Sequence, residues 1–146
     1  MLTDEETTDL QFAIDDGDLN AVSKLLKKLS SKELTELQLY SNSTVLMYTL
    51  ERSEPTIVKA LLEHGATAFE LPWSDNNELK SALRNKRHPK AMVELVLGIL
   101  EPELAREMIT YDWDEDECSE GQAQSALQMA QSCSDPSCVE LLKQAL

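Results

Sequence analysis

Apolar residues recur along this chain at intervals of three and four, the spacing that gathers side chains on one face of an α-helix. They come as pairs of short runs. Leu10, Ala13 and Ile14 precede Val22, Leu25 and Leu26; Leu46 and Leu50 precede Ile57, Val58, Leu61 and Leu62; Leu79, Ala82 and Leu83 precede Val93, Val96 and Leu97; Leu127 and Ala130 precede Val139, Leu141 and Leu142. Between the members of each pair lies a polar turn carrying Gly17, Pro55, Pro89 or Pro136. Proline suits the first turn of a helix, which has no use for its missing N–H. The pattern predicts four units of two short helices, near 8–29, 44–70, 77–98 and 125–146, in a single all-α domain with an insertion at 99–122.

The units share more than a period. Leu10 and Val22, Leu46 and Val58, and Leu127 and Val139 are each twelve residues apart, whereas Leu79 and Val93 are separated by fourteen, with two residues added around Arg87-His88-Pro89. One helix pair cannot bury its apolar face alone, so these eight residues are expected to be shared between neighbouring units. Two further helices are predicted between units. Ser30 and Glu33 form a capping box ahead of Leu34 and Leu37, and Pro102 precedes Leu104, Met108 and Ile109.

The units resemble the ankyrin repeat, most closely through Thr44, Leu46, Val58, Leu61, Leu62, Gly65 and Ala66, and then through Thr8, Leu10, Ala13, Gly17, Val22, Leu25 and Leu26. No unit keeps the family's Thr-Pro-Leu-His tetrapeptide, and only the second ends in Gly-Ala. The resemblance therefore implies an ankyrin-like helical solenoid with degenerate or missing β-hairpins and an acidic insertion before the last repeat. It also implies protein binding through a concave face made of hairpin tips and first helices. The tip position falls on Tyr40 and Trp73, residue types that give much contact area at small entropic cost. The ends of the first helices fall on Asp15-Asp16, Glu51-Arg52, Arg84-Asn85 and Ser132-Cys133, a gradient from acidic to basic.

Charge narrows the partner. The net charge of −14 over 146 residues is concentrated at two places. Residues 1–20 hold seven acids and no base, residues 101–120 nine acids and Arg106 alone, and residues 21–100 nine acids against eleven Lys and Arg. Such a chain repels phosphate backbones and anionic membranes and is steered toward a basic protein surface. Solubility alone is the competing explanation. The segment Asp112, Trp113, Asp114, Glu115, Asp116, Glu117 is suited to insertion beside a basic cleft or, equally, to a solvated loop. It opens like a calcium loop but has Glu117 where that loop needs glycine and Ala123 where it needs glutamate.

Chemistry is scarce. There is no G-x-S-x-G, phosphate-cradling glycine loop or H-E-x-x-H, and the chain has four glycines and two histidines. Neither enzyme activity nor any cofactor or metal is expected. His64 reads as a helix C-terminus residue and 84–90 as a solvated tip. Cys118, Cys133 and Cys138 show no metal-ligand spacing and are expected to be reduced, with Cys133 and Cys138 aiming apart. No apolar run approaches the length needed to cross a bilayer, and the N-terminus has no basic start followed by an apolar run, so a cytoplasmic setting is expected. The reading is a non-catalytic interaction module, monomeric when free, whose sharpest version is an acidic inhibitor or immunity-type protein occluding a basic partner. The alternatives are an adaptor or secreted effector that recruits a host protein through Tyr40 and Trp73, and a nucleic-acid mimic that occupies a DNA-binding protein.

Overall fold

Helix ends set the frame. The computed structural model describes residues 2–40, 43–67, 78–110, 126–131, 133 and 135–146, with the backbone alone at 40, 108, 110, 126 and 127. Among these residues the fold is predominantly α-helical. Helix α1 (Asp4–Asp16) starts at a capping box in which the Thr3 hydroxyl accepts from the Glu6 N–H at 3.1 Å and the Glu6 carboxylate accepts from the Thr3 N–H at 3.3 Å. Thr8, matched to the repeat's leading threonine, therefore lies inside the helix and donates its hydroxyl to the Asp4 carbonyl at 3.1 Å. Gly17, in the left-handed region at φ 68°, closes α1, and the Asp18 carboxylate caps α2 (Leu19–Leu26).

The predicted Ser30/Glu33 box opens α3 (Ser31–Glu36). Next come β1 (Gln38–Tyr40) and β2 (Ser43–Thr44), an antiparallel pair, after which the Thr44 hydroxyl caps α4 (Val45–Arg52) by accepting from the Met47 N–H. Helices α5 (Pro55–Glu63) and α7 (Pro89–Ile99) begin with proline inside the first turn, and Pro136 stands as N-cap to α10 (Ser137–Gln144). The others are α6 (Glu78–Leu83), the predicted α8 (Pro102–Thr110), and α9 (Ala126–Gln131).

Packing follows the pairing read from the sequence. The couples α1/α2, α4/α5, α6/α7 and α9/α10 are each in contact; α1, α4, α6 and α9 pack in succession, and so do α2, α5, α7 and α10. Leu10, Val22, Leu46, Val58, Leu79 and Val93 are all buried. Val139 is a correction, being only half-buried while Cys138 and Leu142 carry the core in its place. Helix α10 packs chiefly on α7 and α9, and among the described residues its buried stripe is one i, i+4 couple.

A second correction concerns the open face. Val45 to Leu50 of α4 are all buried, as is every residue of α6 from Glu78 to Leu83, including Lys80. Helix α4 is enclosed by α1, α3, α5, α6 and the hairpin, so only its end, at half-buried Glu51 and exposed Arg52, reaches the surface. Helices α4 and α6 are thus internal, whereas α1 has an exposed outer side and α9 exposes Gln128 and Gln131.

Successive first helices are also joined by a recurring polar bond. The Ser53 hydroxyl donates to the Ile14 carbonyl at 2.8 Å. One unit on, the Asn85 amide donates to the Leu50 carbonyl at 3.0 Å, and at the last junction the Cys133 thiol faces the Leu83 carbonyl at 3.9 Å. Ile14, Leu50 and Leu83 each stand four residues beyond the anchoring leucine of their unit. Helix C-termini leave carbonyls short of intrahelical partners, and at each junction a side chain from the following helix couple adds to such a carbonyl; that of Ile14 also accepts from the Gly17 N–H at 3.1 Å. Asn85 is consequently buried, 3% exposed, where an exposed helix end was expected.

The end of α5 is fixed against α3. Gly65, at φ 105°, and Ala66 donate to the Leu62 and Leu61 carbonyls, an αL ending. His64, the C-cap, places Nε2 2.7 Å from the Leu29 carbonyl and must donate there, which gives the histidine the helix-end role expected of it. The cysteines differ from expectation: Cys133 and Cys138 point toward each other, with sulfurs 3.8 Å apart. The turn through Pro136 folds the start of α10 back beside the end of α9, bringing the two side chains together.

Candidate partner-binding surface

Helix α1 contains Asp4, Glu5, Glu6, Asp9, Asp15 and Asp16 and no basic residue. Its inner side, Leu10, Ala13 and Ile14, is held by α2 and α4, which fixes the opposite side toward solvent. At the middle of that side stands Phe12, 60% exposed and the most exposed large hydrophobic residue described. Its neighbours at i±3 and i±4 are Thr8, Asp9, Asp15 and Asp16, all exposed. At the flank, Glu6 forms an ion pair with Lys28, which with the Thr3 cap holds its carboxyl below the usual range. The remaining acids of the outer side stand around an apolar ring.

Asp15 and Arg52, on consecutive first helices, converge on one residue. The Tyr48 hydroxyl donates to Asp15 Oδ1 at 2.6 Å, and the Arg52 guanidinium lies 4.9 Å from the centre of the Tyr48 ring. Tyr48 is 1% exposed, and its burial, reinforced by the Asp15 carboxylate, pushes the phenol up to about 12. The phenol thus stays neutral and a donor across the physiological range, anchoring Asp15, while the ring carries Arg52. Both charged groups are exposed yet tethered to a buried side chain.

Other predicted positions divide. Asp16, Arg52 and Arg84 are exposed at helix ends, and Glu51 is half-buried. Since α1, α4 and α6 pack in succession, these ends follow one another in the predicted order of acidic Asp15-Asp16, mixed Glu51-Arg52 and basic Arg84. The turn after Arg84 is organised from within: Asn85 Oδ1 accepts from the Arg87 and His88 N–H groups at 3.0 and 2.8 Å, leaving Lys86, Arg87 and Lys90 exposed. The Tyr40 side chain, Trp73, Asp112, Trp113, Asp114, Glu115, Asp116 and Glu117 lie outside the described residues.

Phe12 was absent from the sequence-derived surface, though a signal existed. It falls two residues after Leu10, out of phase with the Leu10, Ala13, Ile14 stripe, so the helical period itself turns it outward. Among the described residues no group of three or more His, Cys, Asp or Glu could hold a metal ion, and no helix is long and apolar enough to cross a membrane. Comparison with known proteins found no matching family model, no matching curated protein and no matching solved structure.

Proposed function

We propose that this chain is an ankyrin-like helical-repeat module that binds a basic protein through the outer side of α1 and the adjoining ends of the first helices. The succession of first helices and of second helices, with a carbonyl bond repeated at each junction, supports the solenoid part of this reading. The observation that carries the binding part is Phe12, exposed at the centre of an acidic helix side. An apolar ring surrounded by like charges suits an interface in which acids steer encounter and the ring supplies buried contact.

The partner chemistry that fits is a cationic surface with an apolar recess. The role is occlusion of that surface, as an acidic inhibitor or immunity-type protein would perform. No catalytic step is assigned to the module.

Tagged protein should recover a basic protein in roughly equimolar amount from its native lysate at low salt, and lose it at high salt. With the purified pair, Phe12→Ala should weaken binding about tenfold or more, mainly through dissociation. Asp9→Asn with Asp16→Asn should slow association and flatten the salt dependence. Recovery of no salt-sensitive partner, or a partner indifferent to both changes, would overturn the reading.

A further inference from the structure

Cys133 and Cys138 form the one pair of soft nucleophiles among the described residues that face each other. Their sulfurs, 3.8 Å apart, are at van der Waals contact and have to close to about 2.05 Å to be joined. The two sites differ in access. Cys138, in the first turn of α10, is fully buried, while Cys133, in the turn after α9, is half-buried. Cys133 also has two alternatives for its single thiol hydrogen, the Leu83 carbonyl at 3.9 Å and the Cys138 sulfur. The pair therefore sits at the junction between the third and last helix couples and shares a side chain with it.

We infer that Cys133 and Cys138 are a redox-active dithiol that closes to a disulfide by exchange with small-molecule disulfides and thereby detaches Cys133 from the Leu83 carbonyl. Cys133, the accessible sulfur, loses its proton and attacks one sulfur of the small disulfide. The S–S bond of that molecule breaks, and its second half leaves as a thiolate that takes up the proton. Cys138 then attacks the Cys133 sulfur, expelling the remaining half as a second thiol, which carries the Cys138 proton. Two protein thiols lose two electrons and two protons, and one small disulfide becomes two thiols, so the exchange balances without another reactant.

Burial suits Cys138 to this order. Its thiol is pushed up to about 12, first by desolvation and then by the hydrogen bond and charge of Cys133, so it does not react first. Once Cys133 carries the mixed disulfide, both contributions from its thiol are gone. Burial, the larger cause, remains, so the resolving step is the slower of the two and is helped by a sulfur that the fold already holds in contact.

Full-length protein carrying Cys118→Ser isolates the pair. It is equilibrated with graded ratios of oxidised to reduced glutathione, quenched in acid, alkylated while denatured, and weighed intact. The expected product is monomeric, lighter than the reduced chain by two hydrogen atoms, free of glutathione and of alkyl groups, and restored by dithiothreitol. Because the fold holds the sulfurs together, the native chain should reach half-oxidation at a ratio about tenfold lower than the same chain in concentrated urea. A persistent glutathione adduct, continued alkylation of both cysteines, or equal midpoints in the native and urea-unfolded chain would each refute the inference. Cys133→Ser, which retains a hydrogen-bond donor toward Leu83, should fold and show no redox step.

Discussion

Asn85 offers the sharpest test of how the helix couples are held together. Its amide donates to the Leu50 and Ser53 carbonyls, both at 3.0 Å, and its side-chain oxygen accepts from the Arg87 and His88 N–H groups. One buried side chain thus closes the end of α4 and opens the approach to α7. Truncation by Asn85→Ala removes all four bonds, but not all count equally. The turn amides lie beside exposed Lys86 and Arg87, where water can replace the lost oxygen. The two carbonyls are enclosed, and each orphaned group costs about 1–3 kcal/mol. A loss of about 3 kcal/mol follows, which for a chain of this length lowers Tm by roughly 6–12 °C.

Asn85→Asp separates the two halves of the role. A carboxylate still accepts from the turn but faces the two carbonyls with negative charge and no donor, so its protonated form is favoured in the fold. A carboxyl raised in this way contributes stability that is whole below its unfolded value and lost as pH rises through the folded one. The deficit of Asn85→Asp relative to wild type should therefore grow from about pH 4 upward, whereas that of Asn85→Ala should be flat. Urea unfolding followed by circular dichroism between pH 3.5 and 8 reads both. An Asn85→Ala deficit below about 0.5 kcal/mol, or an Asn85→Asp deficit independent of pH, would refute the junction reasoning.

Three further outcomes are expected from the same assay. Gly65→Ala places a Cβ 2.6 Å from that of Ser31 at φ 105°, so it should cost about 2–4 kcal/mol, of which Ser31→Gly recovers only the steric part. Tyr48→Phe should cost about 1 kcal/mol at neutral pH through the Asp15 bond. Because the phenol is raised, its contribution is whole below about pH 10 and lost as pH rises toward about 12, so the gap between wild type and Tyr48→Phe should shrink across that window. Val58→Ala should cost about 2–3 kcal/mol and Val139→Ala about 1 kcal/mol or less, reflecting full burial in one and half-burial in the other. Equal costs would mean that α10 is covered as well as α5.

What the sequence made legible was the set of helices and their couples, because both rest on local rules. A three-to-four residue period requires a helix, Ser30 with Glu33 requires a start, and proline early in a run places the first turn; α3, α5, α7 and α8 follow from these alone. Where a local rule competed with the borrowed repeat, the local rule won. Thr3 and Glu6 start α1 ahead of Thr8, since two reciprocal bonds at the helix end outweigh a family position. The orientation of surfaces was less legible, because it depends on how many neighbours a helix acquires. Leu46 and Val139 look alike in their own windows, yet α4 is enclosed by five elements while α10 packs chiefly on two. Phe12 is legible from its phase but stands at no repeat position.

The junction bonds show how one packing relation can be kept without residue identity. Ser53, Asn85 and Cys133 share no side-chain chemistry beyond an available hydrogen, and Ser53 stands one place later in its unit than the other two. Yet each addresses the carbonyl four residues past the anchoring leucine of the preceding unit. What recurs is a backbone acceptor and the distance to it, and several donors satisfy that requirement, so the sequence varies while the geometry does not. Strength should vary with the donor: two neutral amide bonds at Asn85, one hydroxyl at Ser53, and at Cys133 a weak thiol that can be drawn off by Cys138. The middle junction is then the strongest and the last, at the C-terminal couple, the weakest. If the helix couples unfold in sequence, α9 and α10 of the reduced chain should therefore lose hydrogen-exchange protection before α4 and α5, and oxidation of the cysteine pair, favoured in the native over the unfolded chain, should narrow that difference.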